Sequence, residues 1–230
     1  MTAAAADSDA PHATPPDPAR RLPLRERKKL RTRQALVESA LRLFTERGFA
    51  DTTLDQLVDE VEVSKRTFFR AFSSKEDVAL APEKELWAAY RDRIEAARLT
   101  GPLLDAYEDA LIDAIADMSD GWEDRFLTSR ALADRTPALT AHSLQHCAEV
   151  TDAVVHAVLG RLPEGREVSE LHARLLLDLM VAAWHSALRE WSAANDDGAA
   201  VGSERRREAL RAHVRTAFDA LPGVAALVRP

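Results

Sequence analysis

Signals that end one helix and begin the next follow each other closely between residues 36 and 80. Leu36, Ala40 and Phe44 lie at the spacing of one helix face, with polar residues between them. Gly48 then supplies a residue that adopts left-handed backbone conformations at little cost, as many helix ends require. Such a stretch predicts short helices that bury their apolar stripes against one another.

Two further helix starts follow the first helix. Thr53, with Gln56 three residues later, has the form of a capping box. Ser64 is a second N-cap residue, and the brief helix predicted after it carries Phe68 and Phe72 on one inward face. Two short helices joined by a tight turn and packed under a longer first helix predict a helix-turn-helix.

The chain after Ser74, which is placed to cap a fourth helix, is predicted to consist of long helices. Only 8 of the 230 residues are Gly, and no β-branched run is bounded by turn residues, so the predicted fold class is all-α. Breaks at Gly, Pro and Asn delimit helices at 83–99, 103–119, 123–134, 138–161, 169–195 and 204–220.

Three parts of the chain follow from this pattern. Residues 1–24 contain five prolines and few large apolar side chains, so they are predicted to be a disordered tail. Residues 25–80 form the predicted N-terminal three-helix helix-turn-helix domain, and residues 81–222 form a C-terminal helical bundle.

Charge is distributed unevenly between these parts. The whole chain has a net charge of −7, but residues 20–75 contain 14 Lys and Arg against 8 Asp and Glu, a net charge of +6. The remainder therefore carries −13. This asymmetry predicts one module that contacts phosphates and a second that does not.

Features of the chain favour a cytoplasmic protein that does not enter a membrane. Cys147 is its single cysteine, which excludes an intrachain disulfide, and the first 18 residues contain no apolar leader. The longest apolar run, residues 175–188, contains Asp178 and His185 and is too short to span a bilayer.

Three segments within the first domain resemble a known family. Residues 36–49 (LVESALRLFTERGF), 52–57 (TTLDQL) and 63–76 (VSKRTFFRAFSSKE) are similar, in order and spacing, to the first four helices of tetracycline-repressor (TetR) family regulators. The resemblance implies a homodimer that places the third helix of each subunit in a major groove of double-stranded DNA. It also implies a small-molecule ligand in a variable C-terminal bundle.

The third helix is expected to present its N-terminal residues to base edges. Arg66 has the planar fork that can bind guanine O6 and N7, whereas Thr53 and Lys75 lie at helix N-termini and are expected to contact phosphates. The basic arm before the first helix can lie along the DNA backbone or in a minor groove, or serve solubility alone. The candidate DNA contacts are Arg27, Lys28, Thr53, Ser64, Lys65, Arg66, Thr67, Phe69, Arg70 and Lys75.

This chain departs from the family pattern at three positions. Glu62 stands in the turn where the family usually has Gly, and a non-Gly residue in that conformation costs roughly 1 kcal/mol. Phe69 stands where a Tyr often contacts a phosphate, and Ala71 where a His is frequent. Phosphate contacts at these two positions are therefore not expected, and Phe69 can contact a sugar or a thymine methyl group instead.

Aromatic and polar side chains within the apolar stretches of the bundle are candidates for a ligand site, although core positions satisfied by hydrogen bonds explain each of them as well. His142 and His146 lie one turn apart beside Cys147, but no further Cys or His motif accompanies them, so no metal site is predicted. No Gly-rich loop indicates a nucleotide cofactor. The candidate ligand contacts are Trp87, Tyr107, Trp122, Phe126, Arg130, His142, His146, Trp184 and His185.

The predicted helix 169–195 is apolar on more than one face, so we expect it to pack on both sides, and with the helix 204–220 to form the dimer interface. The function predicted is a ligand-responsive transcriptional regulator of the repressor type that binds a palindromic operator as a homodimer. A small, largely apolar effector would release it, and the pattern from Arg66 to Phe69 with Pro82 resembles a subgroup with acyl-CoA-like ligands. An all-α enzyme and a protein-interaction adaptor, each with an incidental basic segment, stay open as alternatives.

Overall fold

The computed structural model describes residues 23–195 and 202–227, and within these residues the chain forms ten helices and no strand. The all-α prediction is confirmed. Of the predicted tail, only Pro23 and Leu24 are described, and Leu24 already begins the first helix. The helices are α1 (Leu24–Arg47), α2 (Leu54–Glu60), α3 (Lys65–Ala71), α4 (Lys75–Ala79), α5 (Ala81–Ala96), α6 (Leu103–Ala116), α7 (Trp122–Arg135), α8 (Pro137–Leu159), α9 (Glu170–Asn195) and α10 (Ser203–Ala226).

Helices α1 to α4 form the helix-turn-helix domain around one apolar cluster. Leu36, Ala40 and Phe44 of α1 have no exposed surface, and Phe68 of α3 lies against them in the same cluster. Gly48 ends α1 with a φ of +92°, a backbone conformation that side chains with a Cβ rarely adopt. The first domain therefore has the architecture that its capping and apolar pattern predicted.

The six long helices of the second domain agree with the predicted ranges apart from their ends. Helix α5 begins at Ala81 and includes Pro82, because proline is favoured in the first turn, where its missing N–H has no helical partner. Helix α6 ends at Ala116, three residues before the predicted end. Helix α10 continues through Pro222 to Ala226.

The two domains share part of one core. Leu132 and Ala133 of α7 and Leu139 of α8 belong to the apolar cluster of the helix-turn-helix domain. The hydroxyl of Ser129 donates a hydrogen bond to the carbonyl of Ala79 at 2.6 Å. The predicted boundary at residue 80 is therefore a boundary in sequence but not in packing, and α7 and α8 contact the helix-turn-helix domain directly.

A buried ion pair connects α7 to α10. Glu123 has no exposed surface, and its Oε1 accepts a hydrogen bond from Nε of Arg207 at 2.5 Å. The Ser203 hydroxyl donates to the second carboxylate oxygen of Glu123. Because both oxygens and the guanidinium are engaged, the free-energy cost of burying the two charges is largely offset.

One face of α9 has no partner among the described residues. Leu171, Leu175 and Leu179 lie one turn apart and are 64%, 51% and 46% exposed. The opposite face of α9, with Leu177, Met180 and others, is buried within the single chain, so packing on both sides stays a prediction that requires a second subunit. Within the described residues, no helix combines the length and the apolar character that crossing a membrane requires.

Candidate DNA-binding face and ligand cavity

Side-chain caps hold the two short helices of the motif in place. The Thr53 hydroxyl accepts a hydrogen bond from the backbone N–H of Gln56 at 3.2 Å, and Gln56 Oε1 accepts one from the N–H of Thr53 at 2.8 Å. The capping-box prediction is confirmed. The Ser64 hydroxyl caps α3 by accepting from the N–H of Thr67 at 3.2 Å. Caps of this kind contribute about 1 kcal/mol each and fix the direction of the helix that follows.

Helix α3 presents a polar, basic face to solvent. Arg66 and Arg70 are exposed, while Phe68 on the opposite side is fully buried. Lys65 is also exposed, although its ammonium lies 2.6 Å from the Asp55 carboxylate of α2. Arg66 forms no hydrogen bond or ion pair with any of the described residues, so its guanidinium is available to an external acceptor.

The start of α1 extends this basic face. Lys28, Lys29 and Thr32 of α1 and Arg70 of α3 line one shallow groove. Arg27, which was predicted as a DNA contact together with Lys28, lies on a different side of the helix and is half-buried. The α1 terminus is held against α3 by Arg33, whose guanidinium donates to the Ala71 carbonyl at 2.7 Å and lies 4.2 Å from the centre of the Phe72 ring.

Lys75 forms hydrogen bonds with the turn between α1 and α2. Its ammonium donates to the carbonyls of Phe49 at 2.9 Å and Thr52 at 2.6 Å, and lies 4.7 Å from the centre of the Phe49 ring. An ammonium has three donors, so these contacts leave one for a phosphate. The role of Lys75 as a phosphate contact stays a prediction, and its structural role is the connection of α4 to this turn.

Phe69 lies on the exposed side of α3. Its ring is 56% exposed and contacts the ring of Phe68 edge to face, with centroids 5.4 Å apart. A large apolar side chain at this exposure, beside Arg66 and Arg70, is placed to meet a partner rather than the core.

A cavity of about 530 Å³ opens among α5, α7, α8 and α9 of the second domain. Trp87, Phe126 and Trp184 form its aromatic walls. The rings of Trp87 and Trp184 pack edge to face with their centroids 5.9 Å apart, and the rings of Phe126 and Trp184 do so with their centroids 6.1 Å apart. The volume lies in the range of small-molecule sites, which combine mostly apolar walls with a few polar groups.

Polar groups from all four helices face the same cavity. Glu83 of α5 is only 7% exposed, and its Oε1 accepts a hydrogen bond from the Ser143 hydroxyl of α8 at 2.7 Å. Nη1 of Arg130 lies 3.8 Å from Oε2 of Glu83. Burial, reinforced by Arg130 and Arg189, lowers the pKa of His185 below 6.5, while burial raises the pKa of the Cys147 thiol above 9.0. Both groups are therefore neutral at pH 7.

Sequence comparison assigns the two domains separately. Residues 36–81 match the family model described as "Bacterial regulatory proteins, tetR family", and residues 101–221 match one described as "MftR C-terminal domain". The chain is 31% identical over 197 residues to the HTH-type transcriptional regulator TcmR of Streptomyces glaucescens, covering 83% of this chain and 84% of that protein. The chain belongs to the TetR family.

Two other relatives are more distant. The HTH-type transcriptional repressor AcnR of Corynebacterium diphtheriae is 27% identical over 153 residues, which cover 62% of this chain and 74% of that protein. The crystal structure of Thermus thermophilus FadR, a TetR-family repressor in complex with lauroyl-CoA, superimposes with a TM-score of 0.47 at 18% identity, covering 82% of this chain and 94% of that one.

Five of the nine ligand contacts predicted for this TetR-family chain line the cavity, and four do not. The five that the fold brings together are Trp87, Phe126, Arg130, Trp184 and His185. Trp122 is fully buried and donates its indole N–H to the Pro82 carbonyl at 2.9 Å, which makes it part of the contact between α7 and α5. Tyr107 is also fully buried, and burial raises the pKa of its phenol to about 12.

The two remaining candidates lie on α8 toward the DNA-binding domain. His142 Nε2 is 3.1 Å from the ammonium of Lys84. Burial, together with the Lys84 charge, lowers the pKa of His146 below 6.5. Neither imidazole lines the aromatic cavity, because the two residues occupy a different side of α8 from Ser143 and Cys147.

Glu83, Ser143 and Cys147 were not among the predicted ligand contacts. Glu83 lies in the first turn of α5, where an acidic residue is ordinary because it favours the helix dipole. Ser143 is a single hydroxyl in a mixed stretch of sequence. The only available signal was the spacing of Ser143 and Cys147 on one side of α8, and this spacing does not identify the helices that they face.

The departure at Glu62 is confirmed as a strained turn. Glu62 connects α2 to α3 with a φ of +54°, and it is the one non-Gly residue with positive φ among the described residues. We expect Glu62→Gly to raise the free energy of unfolding by about 0.5 kcal/mol. Relief of roughly 1–2 kcal/mol of backbone strain exceeds the greater entropy of Gly in the unfolded chain, about 0.4–1 kcal/mol. Urea denaturation at fixed protein concentration measures the change.

A matched control is Glu38→Gly in the middle of α1, where Glu38 is exposed and helical. This control should lower the free energy of unfolding by about 0.5–1 kcal/mol, since Gly is a poor helix former. Equal destabilisation by both variants would show that the backbone at Glu62 carries no strain.

Proposed function

We propose that this TetR-family regulator is a homodimeric repressor that binds a palindromic operator through α3 and releases it when a small, largely apolar molecule enters the aromatic cavity. The observation that carries the proposal is the position of Glu83 and Lys84. These two residues are adjacent on α5 but face different surroundings. Glu83 lines the cavity, whereas Lys84 contacts the helix-turn-helix domain. A ligand that moves the first turn of α5 therefore also moves the contact between Lys84 and the helix-turn-helix domain.

Two adjacent pairs join α5 to α8 at this point. Glu83 accepts from Ser143 on the cavity side, and Lys84 lies 3.1 Å from His142 on the side of the DNA-binding domain. An ammonium can only donate, so Nε2 of His142 is the acceptor in this pair. The Lys84 ammonium also lies 2.6 Å from Oδ1 of Asp77 in α4. One side chain thereby links both domains.

The link to α4 is ionised at neutral pH. Burial by itself would raise the pKa of Asp77, but hydrogen bonds from Lys84 and from Ser73 outweigh burial and lower this pKa below 3.8. A carboxylate with a depressed pKa stabilises the folded chain above its unfolded pKa, and the contribution is lost as the pH falls through the folded value. The Asp77 carboxylate therefore stays charged around pH 7.

The exposed leucine stripe of α9 supports the homodimer. Leu171, Leu175 and Leu179 form an apolar strip on α9, far from α3 in sequence. A second copy of the same strip would bury it, and a two-fold dimer presents two α3 helices to half-sites about one helical turn apart, roughly 34–36 Å.

The proposal is tested first by selecting bound sequences from a random pool of DNA duplexes with the full-length protein. We expect one palindrome to be enriched, with an affinity that falls steeply with salt, by about 0.9 log units per phosphate contact for each tenfold rise in concentration. Enrichment of a single, non-repeated half-site would contradict the dimer. No enrichment at low salt with a folded protein would favour the adaptor or the enzyme.

The link between the domains gives a separate prediction. In Lys84→Met, operator binding is expected to persist. An effector identified by operator release should weaken operator binding roughly 2- to 30-fold less in this variant than in the wild type. The reason is that an altered contact along a coupled element changes the coupling free energy by about 0.5–2 kcal/mol. Fluorescence anisotropy of the labelled operator, with and without effector, measures both quantities.

Arg93→Met on the same helix is the matched control, since among the described residues Arg93 forms ion pairs only with Asp113 and Asp117, at the exposed side of α5 and α6. It should leave the coupling unchanged. Coupling is reciprocal, so the operator must weaken effector binding by the same factor in each variant. Full effector response in Lys84→Met would remove this residue from the transmission.

A further inference from the structure

We infer that the cavity selects flat aromatic molecules that carry a neutral hydrogen-bond donor, such as a hydroxyl group, and that Oε2 of Glu83 is the acceptor that binds it. This inference rests on the proposed sensing role of the cavity and specifies the class of ligand. It starts from the carboxylate of Glu83, which is buried but only half satisfied.

The two oxygens of Glu83 have different surroundings. Oε1 accepts from the Ser143 hydroxyl at 2.7 Å, whereas Oε2 has no hydrogen-bond donor among the described residues although the side chain is 91% buried. Leaving a buried charged acceptor without a donor is unfavourable, because the oxygen has lost its hydration. A ligand donor in the cavity would restore the missing hydrogen bond once a rotation of the Glu83 side chain turns this enclosed oxygen toward the cavity.

The charge of Glu83 is balanced within the protein. Nη1 of Arg130 lies 3.8 Å from Oε2, too far for a hydrogen bond but close enough to offset the negative charge. The other charged groups around the cavity are Asp134 and Arg189, which cancel in sign. What Oε2 lacks is therefore a donor and not a positive charge, which favours a neutral O–H over an ammonium.

The walls next to Glu83 favour an aromatic ring as the body of the ligand. Trp87 lies one turn after Glu83 on α5, and Trp184 and Phe126 complete the wall with rings that meet at 5.9 and 6.1 Å. Aromatic rings pack on one another in offset or edge-to-face geometries, and a flat molecule can use both faces. The donor and the ring requirement together define the class.

Cys147 supplies a local reporter of occupancy. It is the single cysteine of the chain, it is half-buried, and it lines the same cavity. A molecule bound beside it should slow alkylation by N-ethylmaleimide. Burial raises the pKa of this thiol, so the rate is best measured at about pH 8.5, where more of the reactive thiolate is present.

The experiment measures this alkylation rate in full-length protein with three probes that share one ring system: 2-naphthol, 2-methoxynaphthalene and 2-naphthylmethylammonium. We expect 2-naphthol to protect Cys147 with a Kd at least tenfold lower than the methyl ether, since a hydrogen bond to a charged acceptor is worth roughly tenfold or more. The ammonium probe should protect no better than 2-naphthol.

Two variants assign the preference to Glu83. In Glu83→Gln the ratio of the two Kd values should fall to about threefold or less, because a neutral acceptor forms a weaker hydrogen bond. In Ser143→Ala the carboxylate loses its internal donor, so the ratio should be kept or increase. If Glu83→Gln does not fold, as judged by circular dichroism, Ser143→Ala and the three wild-type values still decide the question.

Each contrary outcome has a distinct meaning. Equal protection by 2-naphthol and its methyl ether would overturn the role of Glu83 while leaving the cavity as the sensing site. Strongest protection by the ammonium would overturn the neutral-donor class, since Arg130 would then not balance the charge. Protection by none of the probes would overturn the aromatic class, and operator selection, which does not depend on the cavity, would still test the regulator function independently.

Discussion

Replacing Arg66 with alanine is expected to weaken binding of the selected operator by roughly 30-fold to 20,000-fold. A guanidinium that binds guanine O6 and N7 contributes about 1–3 kcal/mol, and a homodimer loses two such contacts. The side chain is exposed at the start of α3 and forms no contact with the described residues that folding would need. Anisotropy titration of the selected palindrome, and of variants at each base pair, measures the loss.

Loss of specificity at one base pair per half-site is the feature that distinguishes base contact from phosphate contact. If Arg66 binds a phosphate, Arg66→Ala would weaken all duplexes alike and reduce the salt dependence by about one contact per subunit. Arg91→Ala is the matched control, since Arg91 is exposed on α5 in the second domain. Unchanged circular dichroism in both variants excludes unfolding as the cause.

Removing the charge of Glu123 is expected to lower the free energy of unfolding by about 3 kcal/mol or more. In Glu123→Gln, the buried Arg207 keeps its charge but loses its counter-ion, and breaking one side of a buried pair typically costs about 3–5 kcal/mol. Arg207 is only 8% exposed, so water cannot replace the carboxylate without local opening. Urea denaturation at fixed protein concentration is the measurement, because a dimer couples stability to concentration.

An exposed pair provides the comparison for this effect. Arg93 forms ion pairs with Asp113 and Asp117, and all three side chains are at least 41% exposed. Asp117→Asn should therefore change the stability by less than about 1 kcal/mol. The double variant Glu123→Gln with Arg207→Met should recover much of the loss, since no unpaired charge stays buried. A loss that the double variant does not recover would locate the effect in packing instead of charge.

Local features of this protein followed from the sequence because their causes lie within a few residues. The cap of α2 depends on Thr53 and Gln56, three residues apart, and the cap of α3 on Ser64 and the N–H of Thr67. The burial of Phe68 and the exposure of Phe69 follow from the helical period. The unusual turn at Glu62 was anticipated from the family resemblance, because the family usually has Gly there, and Glu62 has a φ of +54°.

The aromatic cavity and the link between the domains were decided only by the tertiary structure. Glu83, Arg130, Ser143 and Trp184 come from four helices, and no pattern within one helix specifies which side chains of another it will meet. For the same reason Trp122 and Tyr107, which were predicted as ligand contacts by residue type, lie in the core instead. Periodicity determines which face of a helix is buried, whereas the identity of the neighbour on that face depends on how all the helices pack together.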